Sequence, residues 1–463
     1  MTDETKEIYG GPQKRFFVSM LTRDISLEDA ILDLVDNSVD GVMRLKKNKD
    51  EWLLYKGHEV NLTLSEKTFL ISDNCGGIPP DYVSDAFSLG RPSIDKDGDL
   101  PTIGMYGIGM KRAIFKMAHS ASVVSNHSSE YNKVEYSAQW LRPENNNWEI
   151  PLTTKKSIKG RKGVEIRIDE LKSEVSKSFS SERFINSIRS KISHHFGYII
   201  QRGLNISVNG SPVPGTVLSL FVDKRAAPEG ITAFDYSHEL DGVRIRVVVG
   251  LFRPLATEDE VDGETNPHEG VEKAGINVVC NDRVILLSDR TLKTGWGDGG
   301  VPRFHPQFRA IAGLIDISSN DASKLPIATT KNDLDVGSDV YLIARQACVE
   351  GIKAFTNFTN KWKGMEHKTT DFFDGAKATE ARKGIAFAHK HGRKVAKTDA
   401  VRFRPALPEP KSKDPRRRIS FVRESSEIKK VASYLFDDEK TKPAEVGAEC
   451  FDLKLLEAQK NGR

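Results

Sequence analysis

The sequence predicts an α+β fold, because helical and strand patterns alternate along most of the chain. Residues 26–41 have the spacing of an amphipathic helix, and residues 60–64 and 69–73 have the pattern of a β-hairpin. A second group of strand patterns lies beyond residue 215. The chain has 463 residues, which is enough for two or three domains that each bury a core.

Composition and charge narrow the class of protein. Charged residues make up 29% of the chain, and no apolar run approaches the length of about 18 residues that crosses a membrane. The start of the chain lacks the apolar stretch of a secretory signal. Cys75, Cys280, Cys348 and Cys450 form no CxxC pair, so we expect reduced thiols and neither a zinc site nor a disulfide framework. A cytoplasmic protein without membrane contact is expected.

The first predicted helix carries polar residues on one face. Ser26 can cap its first turn, and Gly41 is expected to end it. The apolar stripe consists of Leu27, Ala30, Ile31, Leu34 and Val35. Asp33, Asn37 and Asp40 share the opposite face, because they are four and three residues apart. Alone, such a face is most often a solvated surface.

Two glycine-rich segments follow this helix. The second strand of the hairpin ends at Asp73, directly before the Cys-Gly-Gly turn of residues 75–77. A polar, turn-rich stretch over residues 84–103 is expected to form a mobile flap. Glycines over residues 104–109 then lead into a helix that is expected to begin near Ile108.

The remaining patterns divide the chain into three predicted parts. Residues 1–213 form the first, with strands at 121–125, 133–140 and 163–168, a long helix at 181–201 and a tight hairpin at 204–213. Residues 214–365 form the second, with strands at 243–252, 275–286 and 310–317 and a helix at 337–364. Residues 366–463 form the third, with a basic linker at 388–418 and short helices at 427–436 and 444–456.

The polar residues of these motifs suit an ATP pocket. Asp73 can accept a hydrogen bond from the exocyclic amine of adenine, which guanine lacks at that ring position. Gly76 and Gly77 would let the backbone approach the base closely. Asn37 can bind Mg²⁺ through its amide oxygen, since magnesium prefers oxygen ligands and takes few of them from protein.

Other residues suit the phosphate end of such a pocket. Asp33 can orient or deprotonate an attacking water. Gly104, Gly107 and Gly109 permit a tight loop, and the helix after them offers unpaired N–H groups and its positive dipole end. Lys111 adds a positive charge there. Each motif alone is weak, but their occurrence together and in this order favours a nucleotide site.

The three motifs resemble those of the GHKL ATPase superfamily, which includes gyrase B, heat-shock ninety-kilodalton chaperones, histidine kinases and MutL. DLVDNSVDG at 33–41, DNCGG at 73–77 and GMYGIGMK at 104–111 are similar to its first, second and third motifs. The LVDN core and the lysine after the glycines look most like the Microrchidia (MORC) branch and its bacterial relatives. The resemblance implies a Bergerat α/β sandwich, a mixed sheet with helices on one face, and ATP with Mg²⁺ as ligands.

The resemblance also assigns residues to roles. It implies a nucleotide site made by Asn37, Asp73, Gly77, Gly104, Gly107, Ile108, Gly109, Met110 and Lys111. It implies Asn37 on magnesium, Asp33 as the catalytic base and a flexible lid over residues 84–109. In MORC, MutL and gyrase an S5-like transducer domain follows and sends a lysine to the γ-phosphate. LPIATTKNDLD at 325–335 looks like that loop, so Lys331 is the candidate, although alone it would be a surface lysine.

Three departures from the family pattern bear on turnover. The family base is usually Glu, and Asp33 is one methylene shorter, which favours slow hydrolysis. Cys75 stands where the second motif usually has its first glycine, and a packing role is expected for it. Val164 stands where the family often has a threonine, so it cannot supply that hydroxyl.

The leading functional prediction is a nucleotide-gated molecular clamp that dimerises with ATP, as the resemblance implies. The basic C-terminal segment, including Arg416, Arg417 and Arg418, suggests DNA as the clamped species, although it could equally be a solvated linker. A role in nucleic-acid defence or maintenance fits by analogy, and partner subunits are not identified. A chaperone-like ATPase acting on protein clients is the alternative. A histidine kinase is disfavoured, because no sensor segment is visible.

Overall fold

The chain forms two units, Met1–Pro410 and Lys411–Arg463. The computed structural model describes residues 13–45, 52–88, 90, 100–104, 107–142, 144–223, 230–257, 260–261, 271–328, 331, 333–383, 393–395, 398–410 and 419–461. Among these residues, no helix has the length and apolar character needed to span a membrane.

The strands of the first sheet are β1 (Glu59–Leu64), β2 (Phe69–Asp73), β3 (Ala118–Asn126), β4 (Glu130–Tyr136), β5 (Leu152–Lys156), β6 (Gly163–Leu171), β7 (Asn205–Val208) and β8 (Ser211–Pro212). Their order is β5-β4-β3-β6-β2-β1-β7-β8. The sheet is mixed, since β1 pairs with β7 in parallel and with β2 antiparallel. The predicted hairpin is confirmed, with Leu64 opposite Phe69.

Helices cover one face of this sheet. They are α1 (Lys14–Arg23), α2 (Leu27–Leu45), α3 (Val83–Phe87), α4 (Gly109–Met117), α5 (Ala138–Leu141), α6 (Ser173–Phe179), α7 (Glu182–His195) and α8 (Gly197–Gln201). Along β1 and β2 the buried residues alternate with more exposed ones, as expected for a strand with one covered face. Leu62 and Ile71 share a core with Ile31 of α2 and Ile114 of α4. The expected mixed α+β architecture is confirmed.

Three sequence predictions about this part are wrong in detail. Helix α2 continues past Gly41 to Leu45, because Gly41 serves close packing: a Cβ there would lie 2.7 Å from the carbonyl oxygen of Cys75. The predicted strand 133–140 ends at Tyr136, since Ser137 caps the short helix α5. The long helix predicted over 181–201 is two helices, which are interrupted at Phe196.

A second sheet follows. Its strands are β10 (Phe234–Leu240), β11 (Val243–Leu251), β12 (Gly275–Cys280), β13 (Arg283–Asp289), β14 (Ile311–Ser319), β16 (Arg393–Lys394) and β17 (Val401–Phe403). Their order in the sheet is β13-β12-β14-β11-β10-β17-β16. Two further strands, β9 (Ser219–Asp223) and β15 (Ala376–Glu380), pair with each other. The long helix α9 (Asp339–Lys361) packs on β11 and β14, and the helix predicted over 337–364 is thereby confirmed.

Part of the predicted basic linker is structured instead. Strand β17 pairs antiparallel with β10, with Arg402 opposite Tyr236. The linker prediction is therefore wrong for residues 393–394 and 401–403, because they form the last two strands of the second sheet. The predicted domain limits at 213/214 and 365/366 stay predictions.

The C-terminal unit contains two helices, α10 (Ser425–Phe436) and α11 (Pro443–Lys460). Both predicted C-terminal helices are thus confirmed. Ala432 and Val446 are buried, one on each helix.

Candidate functional site

Apart from Gly76, one cavity borders the residues that the sequence analysis assigned to nucleotide, metal and catalysis in the first two parts of the chain. They are Asp33, Asn37, Asp73, Gly77, Gly104, Gly107, Ile108, Gly109, Met110, Lys111 and Lys331. Residues separated by almost three hundred positions thus meet at one place. The predicted nucleic-acid residues Arg416, Arg417 and Arg418 lie outside the described residues.

Asp73 lies at the end of β2, on the buried face of the sheet, where its carboxylate is held by three donors. Its Oδ2 accepts a hydrogen bond from Ser38 Oγ at 2.7 Å. Its Oδ1 accepts from the backbone N–H of Cys75 at 2.8 Å and of Val164 at 3.1 Å. A carboxylate has about four acceptor positions, so one remains on Oδ2 for a ligand donor. The side chain is fixed in orientation before any ligand arrives.

The pKa of Asp73 reflects this burial. Burial raises the pKa above its ordinary value, and the hydrogen bonds from Cys75, Ser38 and Val164 oppose that rise. These donors therefore oppose the protonation that burial favours. The remaining lone pair of Oδ2 can accept a hydrogen bond from an amine.

Val164 has no hydroxyl, and Asp73 receives a hydroxyl hydrogen bond from Ser38 on α2 instead, one residue after Asn37. The residue before Val164 is Gly163. A Cβ on Gly163 would lie 1.9 Å from the carbonyl oxygen of Asp73, which no side chain could tolerate. Sequence reasoning missed Ser38, although its position inside the first motif was a usable signal.

Helix α2 supplies the other polar wall of the cavity. Asn37 is exposed on a helix that is otherwise buried along much of its length, and it borders the cavity. Asp40 Oδ1 and Oδ2 accept from the backbone N–H groups of Ile103 and Gly104, each at 2.8 Å. Burial raises the pKa of Asp40, while Arg44 and Lys331 oppose the rise. Asp40 therefore anchors the start of the glycine loop, and the solvated-face interpretation of Asp33 and Asp40 is wrong.

Asp33 is paired with two cations. Its Oδ2 binds Arg112 of α4, and its Oδ1 lies 3.3 Å from Lys331 Nζ. Both carboxylate and guanidinium are buried. Asp33 thus borders the cavity as an acceptor that can orient a water, provided that these cations leave one of its lone pairs accessible. Sequence reasoning missed Arg112, which directly follows the lysine of the third motif.

Asp36 lies on the same helix and is fully buried. Its Oδ1 accepts from Arg283 Nε at 2.9 Å, and its Oδ2 accepts from Lys331 Nζ at 3.1 Å. Burial would raise the pKa of Asp36, but Arg283 and Lys331 outweigh it and hold the pKa below its ordinary value. Burial lowers the pKa of Lys331, but the carboxylates of Asp36, Asp33 and Asp40 raise it. The net effect is a pKa above the ordinary value. The ammonium is therefore charged at neutral pH.

Lys331 reaches this position from the connection between β14 and α9. Its backbone has φ +54°, in the left-handed region that side chains other than glycine rarely adopt. Its N–H donates to the carbonyl oxygen of Ala328 at 2.9 Å, and Ile327 pairs with Leu334 across the turn. The turn directs a side chain from the connection after β14 into the cavity that α2 and the glycine loop border.

Lys111 borders the cavity and also contacts the start of the predicted lid. Its side chain is buried, and Nζ donates to the carbonyl oxygen of Ala86 in α3 at 2.8 Å. The lysine thus connects the helix after the glycine loop to the helix where the predicted lid begins. Its predicted phosphate contact stays a prediction.

The donor set fits a magnesium–nucleotide complex. Among the described residues, no group of three or more His, Cys, Asp or Glu side chains could hold a metal ion. Mg²⁺ normally takes one or two protein oxygens and completes its shell with phosphates and waters. The exposed amide of Asn37 in the cavity suits that pattern, because it needs no further protein ligand.

Comparison with known proteins agrees with this geometry. Residues 25–176 match the family described as histidine kinase-, DNA gyrase B-, and HSP90-like ATPase. No curated protein matches the chain in a sequence search. The matched range contains α2, β2, the glycine loop and α4, and membership supports ATP binding and hydrolysis by this domain. The MORC-like branch stays a prediction. Residues 25–176 belong to the GHKL superfamily of ATPases.

Proposed function

We propose that this protein is a Mg²⁺-dependent, slow ATPase that works as a nucleotide-gated clamp. ATP binding would draw Lys331 onto the terminal phosphate and so couple the nucleotide to the second sheet. Hydrolysis would release that contact and reopen the clamp. We further propose that two chains associate when ATP is bound, and that DNA is the clamped species.

The observation that carries this proposal is the position of Lys331. Its Nζ lies 3.3 Å from Asp33 and 3.1 Å from Asp36, although it belongs to a loop of the second sheet's domain. A triphosphate in the cavity would offer this ammonium a stronger negative charge than a single carboxylate does. A change at the nucleotide would then shift the loop that carries Lys331, and with it β14 and α9, which flank that loop.

The roles of the remaining residues follow from their chemistry. Asp73 would accept a hydrogen bond from the amine of adenine. Asn37 would hold Mg²⁺, which when bound neutralises phosphate charge and aligns the triphosphate. Gly104, Gly107 and Gly109 would face the phosphates. Asp33 would orient the attacking water. Because Asp33 is a short side chain that is already held by Arg112, we expect slow turnover.

The DNA part of the proposal rests on charge. Lysines and arginines crowd residues 388–418, and Arg416–Arg418 are consecutive. Neutralising phosphates with such residues releases counterions, so binding weakens steeply as salt rises. Replacing Arg416, Arg417 and Arg418 by Gln should reduce the slope of DNA affinity against salt. An unchanged slope would remove this segment from the interface.

One experiment tests the function directly. The steady-state rate of phosphate release is measured with ATP and Mg²⁺, alone and with added duplex DNA. We expect a slow basal rate that DNA alters, and loss of turnover but not of ATP binding in Asp33→Ala. Stimulation by an unfolded protein client with no response to DNA would favour the chaperone-like alternative.

The clamp itself is tested by mass in solution. Light scattering with and without a non-hydrolysable ATP analogue should show a monomer that becomes a dimer. A mass that is the same in both conditions would contradict ATP-dependent association and leave only the ATPase.

A further inference from the structure

Lys331 is shared by two buried carboxylates, and each of those carboxylates also has an arginine of its own. Asp33 pairs with Arg112 of α4, and Asp36 pairs with Arg283 of β13. We call Asp33, Asp36, Arg112, Arg283 and Lys331 the lysine cluster. Three of its members are cations and two are carboxylates, and the carboxylate of Asp40 also attracts Lys331.

Arg283 is fixed more firmly than the lysine. Arg283 directly follows the tight turn of Asn281 and Asp282, which both have positive φ, and its guanidinium lies 4.3 Å from the ring centroid of Phe196. Its Nη1 also donates to the carbonyl oxygen of Val284 at 2.7 Å. Lys331, in contrast, has a flexible stem and a compact ammonium that can turn between partners.

This arrangement decides whether Lys331 can move. A buried carboxylate that loses its only cation is strongly destabilised. If Asp36 had Lys331 alone, transfer of the ammonium to a phosphate would leave Asp36 unpaired in the interior. Because Arg283 remains on Asp36 and Arg112 remains on Asp33, the lysine can leave without creating an unpaired charge.

We propose that Arg283 and Arg112 are positioning residues that make Lys331 transferable to the terminal phosphate of the nucleotide. The proposal rests on the proposed function, in which Lys331 binds that phosphate. Arg283 is the sharper test, because Arg112 borders the cavity and could contact the nucleotide directly, whereas Arg283 is not among the residues that border it.

The test compares affinities for a non-hydrolysable ATP analogue and for ADP, which lacks the terminal phosphate. In Arg283→Gln, Lys331 becomes the only cation of Asp36 and should be held there. We expect the preference for the ATP analogue over ADP to fall about tenfold, since a charge-assisted contact of this kind is worth about that factor. A merely structural defect would weaken both ligands equally and leave the preference unchanged.

Two variants complete the experiment. Arg202→Gln removes another arginine that pairs with this hairpin turn, at Asp282, without touching Lys331, so its preference should match wild type. The double variant Asp36→Asn/Arg283→Gln removes the carboxylate that traps the lysine, so the preference should return to the wild-type value or above. It also leaves no unpaired charge at that position, which protects the fold.

The outcomes separate the two proposals. If Lys331→Gln lowers the preference for the ATP analogue but Arg283→Gln does not, the positioning role is overturned and the proposed function stands. If Lys331→Gln leaves the preference unchanged, the phosphate contact itself is wrong. A double variant that stays as impaired as Arg283→Gln also overturns the positioning role.

Discussion

Two ionic clusters connect the first sheet and its helices to the second sheet, and they are built differently. The lysine cluster is buried and borders the nucleotide cavity through Asp33, Arg112 and Lys331. The second, which we call the arginine cluster, is half-buried and consists of Arg202, Asp282, Asp316 and Arg382. It pairs two carboxylates with two guanidinium groups and contains no lysine.

The arginine cluster has the features of a fixed connection. Arg382 donates to Asp282 at 2.6 Å and to Asp316 at 2.7 Å, and its guanidinium lies 4.1 Å from the ring centroid of Tyr198. Burial would raise the pKa of Asp282, but Arg382 and Arg202 outweigh it and lower the pKa. Every charge has a planar, directional partner.

The difference shows how one interface can be both stable and responsive. Arginine forms geometrically rigid pairs, whereas lysine is a mobile point charge. Of these two clusters, only the lysine cluster combines a mobile cation with contact with the cavity. We therefore expect the arginine cluster to fix the hairpin and the lysine cluster to respond to nucleotide.

The largest expected effect is on stability, and it should be similar in both clusters. Asp36→Asn leaves Arg283 without its buried counter-charge and Lys331 with Asp33 alone, and it should lower the free energy of unfolding by about 3–5 kcal/mol. Asp282→Asn should do the same, because it leaves Arg202 without that partner and Arg382 with Asp316 alone. Urea denaturation measures both. A loss below about 1 kcal/mol in either variant would mean that its cluster is more hydrated than the structure shows.

The next effect should separate the clusters. Lys331→Gln should lower the ATP hydrolysis rate about 100-fold, because it removes a cation from the developing phosphate charge. Arg202→Gln should change the rate less than about threefold, since Arg202 lies outside the cavity lining. Steady-state phosphate release measures both. Equal losses in the two variants would erase the functional distinction between the clusters.

A conservative change should convert one cluster into the other. Lys331→Arg makes the lysine cluster all-arginine while keeping its charge. We expect unchanged or higher stability and a hydrolysis rate about tenfold lower, because the guanidinium forms directional pairs with Asp33 and Asp36. Thermal unfolding and phosphate release measure the two quantities. Full activity would show that mobility of the lysine is not required.

The smallest effect concerns pH and the same hairpin. Burial and, to a smaller extent, the positive charge of Arg283 lower the pKa of His195 from 6.5 to about 4. Its Nδ1–H donates to the carbonyl oxygen of Val284 at 2.6 Å. The unfolded chain therefore binds this proton first as pH falls. Stability from His195 is complete above about pH 6.5 and is lost as pH falls towards about 4.

The variant His195→Asn isolates this contribution. The stability difference between wild type and variant should shrink by about 1 kcal/mol between pH 7 and pH 5, after allowance for the partial exposure of the ring. Denaturation at several pH values measures it. A difference that is constant with pH would show that His195 is not buried in its neutral form.

Local sequence patterns predicted most elements and the residues around the cavity. The β1–β2 hairpin, α9 and both C-terminal helices followed from alternation and helical spacing. The gathering of Asp33, Asn37 and Asp73 in one cavity was expected from motif order. Such features are encoded within a few residues, so they can be read without knowing the fold.

Except for Lys331, which the family resemblance indicated, contacts between distant residues were not predicted. Gly41 resembles a helix end, yet the helix continues because Cys75 packs against that glycine. Asp36 meets Arg283 from 247 positions away, which no local pattern encodes. One signal was available: α2 is apolar on much of its surface, so its acidic residues had to be paired in the interior.

The most direct test of the account is calorimetric titration of an ATP analogue with Mg²⁺ into wild-type protein and into Asp73→Asn. The amide keeps the size of the side chain but replaces one acceptor oxygen by a donor nitrogen. The account predicts one molecule bound per chain in wild type and no measurable binding in the variant. Equal binding by both proteins, or none by wild type, would contradict it.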